Sequence, residues 1–350
     1  MTDLKDLFGL VYKRHASDLL ITAGSPPVLR VDGKLVREGS RTLRPEDCKR
    51  MVYSVLSTVQ RDKFEKRHEL DLSLAPHGKF RFRVNVYMQS GSVAAAFRPI
   101  PDEVPPPEEL GIPKKVLELT AYPQGLILVT GPTGHGKTTT QASLIDLINR
   151  NQEKHIITVE DPIEYVHKNK KSIVDQREVG SDTRSFANAL KYVLRQAPDV
   201  ILVGEMRDLE TISSALTAAE TGHLVLATLH TNDAMQTIDR MVDVFPAHQQ
   251  QQIRFQLSMS LLAVLSQRLI PRSDGKRGRV LACELLHNNR AVANLIRDQK
   301  THQIANVMQT HVKDGMIVMD SSIKELLAKG LISRADAERF IKDPLSIASV

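Results

Sequence analysis

The sequence predicts an α/β protein in two parts: a mixed α/β amino-terminal module, then a largely parallel sheet covered by helices and finished by a helical region. Three observations predict it. A glycine-rich pattern at residues 131–138 lies between an apolar strand and a helical run; apolar strand-like segments alternate with amphipathic helical ones beyond it; and a proline-rich stretch, Pro99 to Pro107, separates all of this from the first hundred or so residues.

With 350 residues the chain is long enough for two cores, and 41% hydrophobic with 25% charged residues is the composition of an ordinary globular protein. The net charge of +6 suits an anionic ligand. Only 4% of residues are aromatic and none is Trp, which disfavours base stacking, so no nucleic acid is expected as a partner. Cys48 and Cys283 are too far apart in sequence to make a disulfide framework or a C-x-x-C metal site, and both read as small apolar side chains. The opening Met1-Thr2-Asp3-Leu4-Lys5-Asp6 lacks a signal-peptide pattern, and no apolar run approaches a membrane span; the expected compartment is the cytoplasm.

In the first part, Pro45 is a good first helical residue, and Cys48, Met51, Val52, Val55 and Leu56 follow on one side. A hairpin comes next. Phe80, Phe82, Val84, Val86 and Met88 alternate with Lys79, Arg81, Arg83, Asn85 and Tyr87, while Val93, Ala95 and Phe97 continue the alternation after a Ser90-Gly91 turn. That register sets Arg83 directly opposite Arg98 on the polar face. Like charges opposed across a ladder destabilise a sheet, so an anion is expected to offset them.

The boundaries expected are 1–98 for the first domain, 99–121 for a stiff proline-rich linker, 122–288 for the sheet domain and 289–350 for the helical region. Strands are expected at 125–130, 156–160, 200–204, 223–229 and 279–286, with helices at about 137–149, 183–196, 208–221 and 248–268. Gly222 reads as a helix C′ residue, and Asp320, Ser321 or Ser333 as N-caps in the last region.

Gly131-Pro132-Thr133-Gly134-His135-Gly136-Lys137-Thr138 is a complete G-x-x-x-x-G-K-[ST] phosphate-binding loop, with Thr139 adjoining. A bare glycine-rich turn matches such a pattern by accident; the strand before it and the helix after it are what the mechanism requires. Glycines let backbone N–H groups wrap phosphate oxygens, and the helix N-terminus adds partial positive charge. Lys137 reaches the β- and γ-phosphates, and the Thr138 hydroxyl is a ligand for Mg²⁺. The cofactors expected are ATP and Mg²⁺.

Hydrolysis also needs a group that orients water. The apolar run Val200 to Val203 leads to Gly204-Glu205, and Glu205 is the candidate base, helping to hold Mg²⁺ through a water. The position where an Asp is common is Gly204, and Asp199 lies at the wrong end of this strand. The strand ending in Glu160, followed by Glu164, also delivers carboxylates to the edge where parallel sheets bind ligands. Thr228 and His230 leave a third strand where they can sense a γ-phosphate, whereas His223 at its start has no evident task.

These segments, in order and spacing, resemble the secretion ATPase superfamily of type II secretion and type IV pili, over nearly the whole chain. The phosphate loop is its Walker A, Ile157 to Glu164 its Asp box, Leu202 to Asp208 its Walker B, and Gly222 to Asn232 its His box. Ser17-Asp18-Leu19, Gly24, Pro26-Pro27, Arg30 and Asp32-Gly33 resemble its amino-terminal PAS-like module. Gly204-Glu205-Met206-Arg207-Asp208 and the run Ala291 to Asp298 are most similar to the retraction branch, with Ala293 for an Arg, Asp298 for a Glu and His135 for the usual Ser. The resemblance implies a RecA-like second domain and a Mg²⁺-dependent ATPase working as a homohexamer. It makes Arg83 and Arg98 fingers on a neighbour's γ-phosphate, so that ATP is the missing anion, and adds Arg207 to the catalytic set. It also implies an inner-membrane platform protein as partner, pilin handled only indirectly, and a place at the cytoplasmic face of the inner membrane.

The function so expected is pilus retraction and twitching motility. A pilus-extension or type II secretion ATPase and an accessory retraction paralogue are the alternatives; the former usually carry a longer amino-terminal extension and a four-cysteine zinc site. A nucleic-acid translocase and a non-hydrolysing regulator fit less well, the latter because Lys137, Thr138 and Glu205 are all present. The helices after 289 fit a packed cap as well as a coupling element.

Overall fold

The computed structural model describes residues 3–31, 33–75, 81–100, 103–276, 278–343 and 347. Asp32, Lys79, Phe80 and Pro101-Asp102, named above, lie outside the described residues. Two compact units are found: Met1–Glu103 with Pro162–Val166, and Val104–Asp161 with His167–Val350.

In the first unit α1 (Leu4–Lys13) leads to β1 (Asp18–Ile21), β2 (Val28–Val31) and β3 (Lys34–Arg37). Then come α2 (Pro45–Tyr53), α3 (Thr58–Arg67), β4 (Glu69–Leu74), β5 (Arg81–Gln89) and β6 (Ser92–Ile100). The sheet order is β3-β2-β1-β6-β5-β4. Alternation decides its faces. Phe82, Val84 and Val86 of β5, and Val93, Ala95 and Phe97 of β6, are buried against Leu4, Leu7, Phe8 and Val11, one stripe of α1. The Phe8 and Phe82 rings stack with centroids 4.3 Å apart. Ser90 and Gly91 have φ of 47° and 74°, the pair of left-handed residues that a tight two-residue hairpin demands. The register follows, and Arg83 lies opposite Arg98.

The second unit holds α4 (Pro107–Leu110), α5 (Lys114–Leu119), β7 (Gly125–Thr130), α6 (Lys137–Asn151), β8 (His155–Glu160), β9 (Ile173–Glu178) and α7 (Phe186–Val193). It continues with β10 (Val200–Val203), α8 (Leu209–Glu220), β11 (Leu224–Leu229), α9 (Ala234–Asp243), α10 (Ala247–Ser260), β12 (Leu261–Pro271) and β13 (Arg279–His287). The helices α11 (Arg290–Arg297), α12 (Ile304–Thr310), α13 (Met319–Ala328) and α14 (Arg334–Phe340) complete it. The sheet order is β13-β12-β7-β11-β10-β8-β9, parallel throughout except for β13, which runs antiparallel to β12. Every residue of β7 and β11 is buried, as a strand covered on both faces requires.

Four expectations need correction. The helix expected over 248–268 ends at Ser260, and residues 261–271 are β12: Leu261 turns extended at ψ 128°, and the apolar run after it fills the place beside β7. β9 was not anticipated. Within the expected linker, Pro99 and Ile100 still belong to β6, and residues 107–119 form α4 and α5, with Ile112, Val116 and Leu119 buried in the second unit's core. Of the three N-cap candidates only Ser333 caps a helix, accepting from the Asp336 N–H at 3.1 Å; Asp320 and Ser321 lie inside α13. Gly222, with φ of 102°, follows α8 as expected.

Candidate nucleotide site

Four neighbouring parallel strands, β7, β11, β10 and β8, bring the predicted groups to one edge of the second sheet. Their carboxyl ends lead into Gly131, His230, Glu205 and Glu160 and on to Asp161. Ligands bind at this edge because helix N-termini and loop N–H groups converge there.

The phosphate loop runs from Gly131 to Gly136, and α6 starts at Lys137 with Thr138 and Thr139 half-buried in its first turn. Its shape is set by close approach to β12. Gly131 has φ of +138°, and a Cβ there would come within 2.5 Å of the Gln267 carbonyl oxygen, so a side chain is excluded twice over. Gly136 passes Leu269 in the same way, with 3.3 Å to the position its Cβ would take. The Leu269 N–H donates to His135 Nδ1 at 2.9 Å, and Arg279 Nη1 donates to the Gly134 carbonyl at 3.1 Å. Gln267 Nε2 reaches Thr140 Oγ1 at 2.8 Å. The His135 imidazole is therefore a strut between loop and sheet. Burial, with Arg279, Arg268 and Lys137 nearby, holds its pKa below the usual histidine value and favours the neutral ring that accepts this bond.

Lys137 is 8% exposed, and its ammonium donates to the carbonyls of Gly131 at 2.8 Å and Pro132 at 3.0 Å. His230 Nδ1 lies 3.4 Å from Lys137 Nζ and 3.4 Å from Thr133 Oγ1. The other ring nitrogen, Nε2, lies 3.4 Å from Glu205 Oε2, to which Arg207 Nη2 also pairs at 2.8 Å. An ammonium can only donate, so Nδ1 is the acceptor and Nε2 carries the proton toward the carboxylate. The result is one chain of polar contacts, Lys137–His230–Glu205–Arg207, from the phosphate loop to the candidate base. Glu160 is buried, its Oε1 accepting from Thr158 Oγ1 at 2.7 Å and Gln176 Nε2 at 3.1 Å.

Arg83, Arg98 and Glu164 belong to the first unit. There Arg83 lies 3.5 Å from Glu164, and Arg98 Nη2 is 2.8 Å from Asp18; carboxylates of this chain balance the opposed arginines. Asp199, at the far end of β10, accepts from the His155 N–H at 2.8 Å and serves the start of β8. His223 Nδ1 lies 3.0 Å from the Ala218 carbonyl and closes the end of α8, which gives that residue a structural task. The run Ala291 to Asp298 is α11 and its C-cap: Asn289 caps its start, and Val292 and Ile296 face the core. Gln176, Gln267 and Arg279 were missed because each reaches the site from a strand whose register no local pattern shows.

The family model described as Type II/IV secretion system protein matches residues 11–339. The type IV pilus retraction ATPase PilT of Pseudomonas aeruginosa is 48% identical over 342 residues, 98% of this chain and 99% of that protein. A twitching motility protein of Neisseria gonorrhoeae is 49% identical over 313 residues, covering 89% of this chain and 83% of that one. Among solved structures, that of the pilus retraction motor PilT with bound ADP superposes with a TM-score of 0.93 at 50% identity, each chain covered in full. With its phosphate loop, paired carboxylate and histidine at the ends of adjacent strands, this chain belongs to the type II/IV secretion system protein family.

Proposed function

We propose that the chain is an ATP-hydrolysing motor that drives type IV pilus retraction, and with it twitching motility, as a homohexamer. The observation that carries this reading is the continuous contact from Lys137 through His230 to Glu205, in a chain nearly half identical to PilT over its whole length.

The triphosphate lies along the loop N–H groups, with Lys137 on its β- and γ-oxygens. Glu205 orients water for attack and accepts its proton, and His230 holds that carboxylate while its other nitrogen faces Thr133 and Lys137, where a γ-phosphate is felt. The donor set fits Mg²⁺, which takes one or two protein oxygens and keeps its waters: Thr138 offers a hydroxyl, Glu205 a carboxylate, and the described residues hold no cluster of three His, Cys, Asp or Glu that would make a closed cage. Held by Thr138 and Glu205, such an ion would supply positive charge to offset the charge that develops during hydrolysis.

Arg83 and Arg98 of one protomer complete the site of the next. Support comes from their adjacency in the hairpin and from side chains 43% and 68% exposed. An arginine finger is worth about 10³–10⁵ in turnover, so isolated protomers are nearly silent. The motor works at the cytoplasmic face of the inner membrane against a platform protein of the PilC kind, and touches pilin only through it. No helix among the described residues is long and apolar enough to cross a membrane.

The test is complementation of a strain that makes pili but cannot withdraw them, with wild type and Glu205→Ala in parallel. Restored surface motility by the wild type alone supports the reading; restoration by both removes hydrolysis from it, and restoration by neither removes retraction.

A further inference from the structure

Across the sheet of the first unit runs a row of charged residues, one from each of four adjacent strands. Asp18 of β1 is the register partner of Arg30 on β2, and Arg83 of β5 is that of Arg98 on β6. Leu19 pairs with Phe97, so one step along the antiparallel ladder Asp18 meets Arg98. The row therefore reads Arg30–Asp18–Arg98–Arg83, and Asp18 is its one carboxylate.

Asp18 is 9% exposed and held from several sides. Its Oδ1 accepts from Arg98 Nε at 3.0 Å and Nη2 at 2.8 Å. Its Oδ2 accepts from Ser17 Oγ at 2.9 Å and faces Arg30 Nε at 3.4 Å. Two N–H groups on one fixed oxygen set the plane of the Arg98 guanidinium, and that side chain is otherwise 68% exposed. An unrestrained exposed arginine samples many rotamers, a freedom that a finger must surrender each time it engages.

We propose that Asp18 is a positioning residue for hydrolysis: it orients Arg98, with Ser17 and Arg30 fixing the carboxylate, so that the guanidinium is presented to the neighbouring protomer's γ-phosphate already ordered. This rests on the reading of Arg98 as a finger acting in trans. Positioning of this kind is felt in the transition state and not in ground-state nucleotide binding, which separates it from a general loss of fold.

Steady-state ATP turnover is compared for wild type, Asp18→Ala, Asp18→Asn, Arg98→Ala and the Asp18→Ala/Arg98→Ala pair, at protein concentrations where sedimentation shows equal assembly. Asp18→Ala is expected to lower kcat about tenfold with KM for ATP within twofold. Asp18→Asn, which keeps an acceptor oxygen, restores a substantial part, and the double variant is no slower than Arg98→Ala, read by single-turnover hydrolysis. Wild-type turnover in Arg98→Ala removes Arg98 from the site and with it the reading of that residue as a finger, on which the role of Asp18 rests. A silent Arg98→Ala beside a fully active or faster Asp18→Ala overturns only the role of Asp18, as does an additive loss in the double variant. If Asp18→Ala does not fold, Ser17→Ala carries the test, with a smaller fall in kcat expected and an unchanged kcat overturning the proposal.

Discussion

Gly204 packs directly against Glu160: a Cβ built on Gly204 comes 3.3 Å from the Glu160 Cα and 3.1 Å from the carbonyl oxygen of Val159. The Gly204 N–H donates to that same carbonyl at 2.8 Å, so backbone meets backbone where β10 leaves the sheet beside β8. An Asp at this position has to push the Val159–Glu160 backbone aside by a few tenths of an ångström. Gly204→Asp is expected to destabilise the protein by about 1–3 kcal/mol through overpacking, and not to raise turnover. Urea denaturation with a parallel ATPase assay checks both; a stable, faster variant contradicts this account of the glycine.

His230 is the link between phosphate loop and base, and its replacement separates binding from chemistry. In His230→Ala the Glu205 carboxylate keeps Arg207 at 2.8 Å and loses the imidazole N–H. Turnover is expected to fall about 10²-fold, at the low end of acid–base effects because Glu205 itself remains. Nucleotide affinity, set by loop N–H groups and Lys137, changes little. Titration with a fluorescent ATP analogue beside steady-state kinetics tests this; equal losses in both would place His230 in binding alone.

How much of this was legible in sequence depends on the range of the interactions. Gly131 to Thr138 could be read because a phosphate loop is local, and Glu205 and His230 because each ends an apolar strand. The Arg83–Arg98 pairing was legible because a two-residue turn fixes hairpin register. β12 was not. Leu261-Leu262-Ala263-Val264-Leu265 continues an apolar run that suits a buried helix as well as a buried strand, and the break at Ser260 carries neither Gly nor Pro. Losing β12 from the reading also lost the hold of Gln267 and Leu269 on the loop and its helix, which only a parallel partner beside β7 makes possible. Asp18 stood among the noted residues, but its pairing with Arg98 joins strands about eighty positions apart.

His135→Ser removes a strut between the phosphate loop and β12. The Leu269 N–H that donates to His135 Nδ1 at 2.9 Å would lose its acceptor, since Ser is too short to span the same gap. An unmade bond to a half-buried amide costs about 1–3 kcal/mol. The variant is expected to unfold at lower urea by that amount and, because the chemical groups of the site are untouched, to keep its kcat within a few-fold. Equal stability of the two proteins would mean that the strut contributes nothing.

Acid sensitivity has an identifiable source in His167. Its Nδ1 is buried with no hydrogen-bond partner among the described residues, and burial pushes its pKa down to about 4, with Asp146 opposing and Lys170 assisting. In the unfolded chain the ring takes up a proton near the ordinary value of 6.5, but in the folded chain only near 4. Between these two values the unfolded state binds more protons, so stability falls as pH falls through this window. Above it both states are neutral and the ring has no effect; below it the loss is complete. A shift of this size corresponds to about 3 kcal/mol. His167→Gln, which cannot titrate, is therefore expected to lose about that much less stability than wild type between pH 7 and pH 4. Urea midpoints of both proteins across this range give the comparison, in which carboxylates common to the two cancel; parallel curves would show that the imidazole stays protonatable in the fold.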